Sequence, residues 1–503
     1  MERQMAKFWA GIRTGLSAIA KHRGGLLAVL GVLVLVIAAS AEMTFTHAHT
    51  PHFTAQTDDW TAYMGGNAHT GYNGAETVIN QTSAPSLQRI WQFPEHHQLF
   101  TQPVVANGLI YWGSFGGNEY ASDANGNVIW QTDLGRVLST CTNKSMGVTS
   151  TATAVTETIN GTPTPVLYVG GGNAQMYKLN AMTGAVLWQT PLGSPTDTFI
   201  WDSPAIYNGS VYIGIAGFGD CPPPKVQGQL FKLDTATGQI QGDFKIVPDG
   251  CTGAGVWGSI TVDEATGILY FGTANAGTCA TFENLNEAII ALNAADLSFI
   301  GSWQIKQQKA LDIDFGTTPT LFTATINGVQ RNLIGMADKN GNYYAWDRSH
   351  VNTGPLWHAH VANGGSSPTT GTISSSAWDG TYIYAGGGKT TINGVVCPGS
   401  LNALNPANGA FVFRTCLTSG PVLGAVMAVP GLAVVGANNT LDVIATTGAS
   451  AGQIIYSYQE TASTSYFKGA ATIADGVLYA EDWNGHLDAF APPATPPTPT
   501  PTA

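Results

Sequence analysis

The sequence predicts an all-β fold, an eight-bladed β-propeller, on three observations. A unit long enough for four short strands recurs along the chain, Asx-Gly turns separate alternating strands throughout, and the final copy is cut short where the chain stops. The 503 residues include 61 glycines and only 10% charged side chains, a composition suited to many tight turns between half-buried strands. Net charge is −12, with the acidic residues scattered. No Lys/Arg stripe is present, which excludes nucleic-acid binding.

From the N-terminus, Arg3, Lys7, Arg13, Lys21 and Arg23 precede an apolar run from Leu26 to Ile37 and then Ala39-Ser40-Ala41. A basic region, a short apolar core and a small-x-small site predict a secretory signal over residues 1–41. The run is short for a membrane span, so an uncleaved signal anchor is the alternative, and membrane attachment is expected only through such an anchor. Either way the remaining chain is expected outside the cytoplasm: secreted, periplasmic or at the cell surface. No Cys follows the run to carry a lipid. Residues 42–57 read as a linker, and His47, His49 and His52 as its solvated side chains.

The repeat occupies 58–492. One signal is an apolar strand ending in Asp or Asn, then Gly, then Trp or an apolar residue. It appears as Tyr120…Asp123…Gly126…Trp130, Tyr177…Asn180…Gly184…Trp188, Phe231…Asp234…Gly238, Ile290…Asn293…Trp303, Tyr344…Asp347…Trp357 and Leu401…Asn405…Gly409. Leu441…Ile444…Gly448 is a degenerate copy, and Leu487…Phe490 begins an eighth. A second signal precedes the copies: a strand of small residues, an Asx-Gly turn and an alternating strand, as at Asn107-Gly108, Asn208-Gly209, Asp379-Gly380 and Asp475-Gly476. Both residues of such a turn need positive φ, which makes it the strongest short hairpin signal. Small inner strands suit the crowded axis of a propeller, and the outer Trp is expected to pack between sheets.

The eighth copy lacks its last strand, which Leu87-Gln88-Arg89-Ile90-Trp91 can supply. The ring would close by pairing the two ends, leaving no exposed edge. Seven blades is the alternative, because the Leu441 copy is weak. The tail, 493–503, is Pro/Thr-rich and reads as extended. Six cysteines (141, 221, 251, 279, 397 and 416) are an even number in an oxidising setting. Cys397 and Cys416 flank one hairpin and are expected to pair; the pairing of the other four is open. No CxxC or CxxCH is present, and neither are GxSxG, HExxH or P-loop motifs.

These units resemble the pyrroloquinoline quinone (PQQ) dehydrogenase repeat, closest to the alcohol and polyvinyl-alcohol dehydrogenase branch. The resemblance covers roughly 58–492 and includes Trp60-Thr-Ala-Tyr63…Gly71-Tyr72-Asn73. It implies exported oxidation of a small-molecule or polymeric alcohol with PQQ and a bound Ca2+ or lanthanide. In Gly253-Ala-Gly-Val-Trp257, Trp257 resembles the family's quinone-stacking tryptophan. In Tyr270-Phe-Gly-Thr-Ala-Asn275, Asn275 resembles its cation-ligating asparagine. Asp312-Ile-Asp314 resembles a segment whose first Asp is the catalytic base and whose second is, in some members, an extra cation ligand. Asp338-Lys339-Asn-Gly341 resembles a turn whose basic residue hydrogen-bonds the quinone oxygens.

The chemistry is coherent. A flat conjugated ring wants an aromatic floor, a hard cation wants oxygen ligands, and a carboxylate can take a hydroxyl proton while hydride leaves carbon. Each residue also has a plainer reading, as a packing Trp, a turn Asn or a solvated loop Asp. Two departures stand out. Where the family has an acidic cation ligand and an Arg, this chain offers Asp220 and Gln227, and no two cysteines are adjacent to form the family's disulfide ring. The same blades occur in the non-enzymatic lipoprotein of the outer-membrane barrel assembly machinery, so a scaffold for envelope proteins is the rival reading.

Overall fold

The computed structural model describes residues 58–218, 221, 223–275, 277–279, 284–305, 312–365, 372–461 and 466–493. The expected signal segment, the linker, all but the first residue of the tail, and Asp220 lie outside the described residues.

Eight four-stranded antiparallel sheets are present. Seven are consecutive in sequence: blade 1 over 104–133, blade 2 over 153–191, blade 3 over 205–245, blade 4 over 261–304, blade 5 over 320–360, blade 6 over 377–417 and blade 7 over 427–459. Blade 8 combines Thr472–Ala474, Val477–Glu481 and His486–Ala491 with the early strand Gln88–Pro94. Gln88 pairs with Ala491 and Pro94 with His486, so the ring closes as the truncated eighth copy predicts. The degenerate Leu441 copy is a complete blade with four strands, which removes the seven-blade alternative. Helix is confined, among the described residues, to four three-residue 3-10 turns.

The repeat motif explains how neighbouring blades lock. Asp123, Asn180, Asp234, Asn293, Asp347 and Asn405 each accept a backbone N–H two residues on, closing the turn between a blade's third and fourth strands. The turn glycine then receives the Trp of the preceding blade. The Trp130 indole donates to the Ala181 carbonyl at 2.8 Å, Trp188 to Thr235 at 3.0 Å, and Trp357 to Pro406 at 3.0 Å. Trp91, on the closing strand, does the same to Ala124 at 2.8 Å. A Cβ on Gly184 would sit 2.6 Å from the Trp130 ring, and its φ is +69°, so that corner requires glycine.

Around the axis, first strands of successive blades touch and are stitched by hydroxyls. The N–H of Gln102 donates to Thr151 Oγ1, that of Thr151 to Ser203 Oγ, and that of Ser203 to Ser259 Oγ, at 2.8–3.1 Å. Ser259 donates onward to Thr318 Oγ1 at 3.0 Å and Thr318 to Ser375 Oγ at 2.9 Å. Small polar residues thus satisfy one another where no bulky side chain fits.

Residues 60–73 run beneath this ring and bond to every blade. Trp60 pairs with Val105 in blade 1, and the Thr61, Asn67, Ala68, Thr70 and Gly71 carbonyls accept from Ala154, Val262, Leu321, Trp378 and Ala428. The Asn67 side chain reaches Ile206 in blade 3 and that of Asn73 reaches Ile473 in blade 8. Met64 is fully buried at this crossing. Together these contacts make the segment a plug across the axis.

Candidate active site

Opposite the plug, the segments that link blades and the loops between second and third strands form a cavity of about 710 Å³. Its lining includes Trp257, Asn275, Asp314 and Lys339, together with Ser203, Ser259, Thr318 and Ser375 of the hydroxyl ring.

Trp257 lies between Ile240–Lys245 and Thr261–Asp263, in the segment linking blades 3 and 4. Asn275 follows Ile268–Gly272 in blade 4, and the two segments are tied by Ala254 N–H to the Asn275 carbonyl at 2.7 Å and Ala274 N–H to Gly255 at 3.0 Å. Gly316 fits against Trp257 so closely that a Cβ would come within 1.9 Å of the indole. Asp312 and Asp314 sit between blades 4 and 5, and Lys339 follows Val329–Ala337 in blade 5. The Lys339 amide donates to the Asp314 carbonyl at 3.1 Å, holding both side chains on one side of the cavity.

These residues converge. The Lys339 ammonium donates to Asp312 Oδ1 and Oδ2 at 2.8 and 2.9 Å and to Asp314 Oδ2 at 2.9 Å. It lies 5.4 Å from the centre of the Trp257 ring. Asp314 Oδ1 accepts from the Asn275 amide at 2.9 Å. Burial raises the Asp314 carboxyl to about 6, the Asp312 charge adds to that, and Lys339 opposes it. Burial pulls the Lys339 ammonium down, but the two carboxylates outweigh it and hold it above its ordinary value.

An aromatic floor, a fixed positive charge and space above them fit a flat anionic ring. The fit to a metal is partial: both Asp314 oxygens are already bonded, and Asp220 is not described. The Asn275 side chain lines the cavity without a bond to any described residue and is the free oxygen donor here.

Disulfides brace this side. Cys251–Cys279 brackets Trp257 and Asn275 with Cα atoms 5.4 Å apart, and Cys141–Cys221 spans 5.6 Å. The expected Cys397–Cys416 bridge is present at 5.3 Å. Gln227, in place of the family's Arg, donates to the Val247 carbonyl at 2.8 Å. His358 and His360 are exposed, as the alternation of their strand predicts.

Sequence reasoning missed the far wall of the cavity, built from Phe100, Phe115, Trp201, Lys468 and Trp483. One signal was available. Asp482-Trp483-Asn-Gly485 repeats the Asp338-Lys339-Asn-Gly341 turn, so Trp483 occupies in blade 8 the loop position of Lys339 in blade 5.

The PQQ family model, described as the β-propeller domain of glucose, ethanol and alcohol dehydrogenases, matches residues 60–361. A polyvinylalcohol dehydrogenase of Sphingopyxis sp. (strain 113P3) is 25% identical over 353 residues, 61% of this chain and 51% of that protein. The quinone-dependent alcohol dehydrogenase subunit of Gluconobacter oxydans is 23% identical over 62% of this chain and 46% of its own length. The chain therefore spans about half the length of these curated relatives. Among solved structures, the quinohemoprotein alcohol dehydrogenase of Comamonas testosteroni superposes with a TM-score of 0.68 at 16% identity, over 89% of this chain and 82% of its own. A europium-containing methanol dehydrogenase does so with a TM-score of 0.65 at 16% identity, over 87% and 98%. At these identities the structures speak to the fold alone.

Proposed function

From membership of the PQQ β-propeller family of glucose, ethanol and alcohol dehydrogenases, to which this chain belongs, we infer that it oxidises an alcohol in the axial cavity. The observation that carries this reading is the convergence of Trp257, Asn275, Asp314 and Lys339 on one wall of that cavity, with Asp312 bonded to Lys339 behind them. A quinone held there would supply the two-electron acceptor, with Ca2+ or a lanthanide to polarise its oxygens.

The chain's own groups have defined tasks. Trp257 offers a flat face that orients the ring and keeps water from it. Lys339 offers an ammonium, already aligned by two carboxylates, to hydrogen-bond an oxygen that gains negative charge on reduction. Asn275 offers its amide oxygen to a cation, with Asp314 and Asp220 as the other ligands. Asp312 takes the hydroxyl proton. A second assignment gives that proton to Asp314, because Asp314 lines the cavity and burial raises its carboxyl to about 6. The protein is proposed to work outside the cytoplasm, which the three disulfides support.

The rival is a cofactor-free scaffold for envelope proteins. It is favoured by the self-sufficiency of the cluster, in which Asp314 has a donor on each oxygen. Titration of PQQ with Ca2+ or a lanthanide into the purified protein decides between them. Saturable binding with dye reduction by alcohols is the expected result, and its absence would leave the scaffold.

A further inference from the structure

Three lysines line the cavity, Lys144, Lys339 and Lys468, and the last two stand in opposite circumstances. Lys339 is neutralised by two carboxylates. Lys468, in the segment linking blades 7 and 8, has no carboxylate partner among the described residues. Its ammonium lies 3.6 Å from the centre of the Trp483 ring and 5.5 Å from that of Tyr466, and burial lowers its proton affinity. Lys468 precedes blade 8, three places round the eight-membered ring from blade 5, which holds Lys339, so the two ammonium groups face the cavity from different sides.

The surroundings of Lys468 are apolar and rigid. Trp483 meets Phe115 edge-to-face at 5.3 Å and Phe100 at 6.4 Å, and Phe100 meets Trp201 at 6.4 Å. A half-buried cation set against ring faces retains its attraction for an anion, and the aromatic wall favours a ligand with a flat or apolar body.

We propose that Lys468, seated on Trp483, is an anion subsite that receives a carboxylate of the ligand bound in the axial cavity, on the blade 8 side. The carboxylate belongs either to the quinone, which carries three, or to an acidic alcohol substrate. Naming the ligand rests on the function proposed above; the anion subsite itself does not.

The test measures equilibrium binding rather than turnover. PQQ and its uncharged trimethyl ester are titrated, with Ca2+, into the full protein and its Lys468→Met and Lys468→Arg variants, followed by tryptophan fluorescence and dialysis. In parallel, 6-hydroxyhexanoate is compared with 1-hexanol. If the quinone supplies the carboxylate, Lys468→Met loses about tenfold or more in affinity for PQQ and little for the ester, and Lys468→Arg restores most of the loss. If the substrate supplies it, PQQ affinity is unchanged and the loss falls on 6-hydroxyhexanoate alone. Equal binding of all probes by wild type and Lys468→Met overturns the proposal. Should the wild type bind no PQQ at all, the dehydrogenase reading fails. The subsite is then decided by 6-hydroxyhexanoate alone: weaker binding to Lys468→Met upholds it, and no difference removes it.

Discussion

Lys339 extends its ammonium to within 5.4 Å of the Trp257 ring centre, so the two residues form a corner, one face aromatic and one face charged. Any flat ligand resting on Trp257 must place an edge beside that charge.

Replacing Lys339 by Met should therefore weaken PQQ binding by about tenfold or more, as loss of a charge-assisted hydrogen bond does. It also strands Asp312 and Asp314, at a cost of about 3–5 kcal/mol for a buried pair losing one partner. Without the ammonium the Asp314 carboxyl, already raised by burial and held down by Lys339, titrates higher still in the folded chain. The penalty is then full at neutral pH and disappears as pH falls toward the unfolded value near 4. Thermal unfolding of the variant between pH 4 and 8 checks the sign; a loss that grows on acidification contradicts it.

The inter-blade lock makes a separate prediction. Trp130 buries its ring against Gly184, and Trp130→Ala should cost about 3–5 kcal/mol. Gly184→Ala should be destabilising too, because the new Cβ meets Thr132 Oγ1 at 2.5 Å and the Trp130 ring at 2.6 Å, at a φ of +69°. Denaturant unfolding measures both. Combined, the two changes should cost less than their sum, since removing Trp130 also removes part of the clash.

What the sequence made legible was local. Asx-Gly turns and the Asp…Gly…Trp spacing each act within one hairpin or between adjacent blades, so eight units, their closure by a strand at Leu87 to Trp91 (observed as Gln88–Pro94) and the Cys397–Cys416 bridge could be read directly. Trp257, Asn275 and Lys339 were found because their loops carry motif residues. The plug was not legible, because Trp60 to Asn73 draws its contacts from all eight blades, and Asn73 bonds Ile473 across 400 positions. The pairing of Cys141 with Cys221 is also long-range, at a separation of 80. Lys468 has no motif at all and becomes visible only when Trp483 is seen beneath it.

The plug carries a pH signature. His69 is 5% exposed, with its Nδ1 2.9 Å from Thr261 Oγ1, and burial lowers it to about 3. Its unfolded value is near 6.5, so between pH 6.5 and 3 the unfolded chain binds more protons and stability falls as pH falls. His69→Asn should flatten that part of the curve, whatever it does at pH 8. A variant whose stability drops with acid as steeply as wild type, over pH 7 to 4, contradicts the assignment.

The pair Asp312 and Asp314 offers two candidates for one proton, and their surroundings separate them. Asp312 meets the cluster through Lys339, which holds both of its oxygens. Asp314 lines the cavity, accepts from the Asn275 amide, and is raised by burial to about 6. If Asp312 is the proton acceptor, Asp312→Asn should cut kcat by about 10²–10⁴-fold. Asp314→Asn should then act mainly on cation affinity, recovering activity when more Ca2+ or lanthanide is supplied. If Asp314 is the acceptor, the roles exchange: Asp314→Asn is not rescued by cation, and the wild-type rate rises through pH 6 as its carboxyl ionises. The cation-free protein gives an independent reading. A carboxyl raised on folding stabilises least where it is ionised, so the Asp314 contribution should decline from about pH 4 to 6, and the stability of Asp314→Asn relative to wild type should rise over that window. A difference between variant and wild type that stays constant across that window would place the raised group elsewhere and return the proton to Asp312.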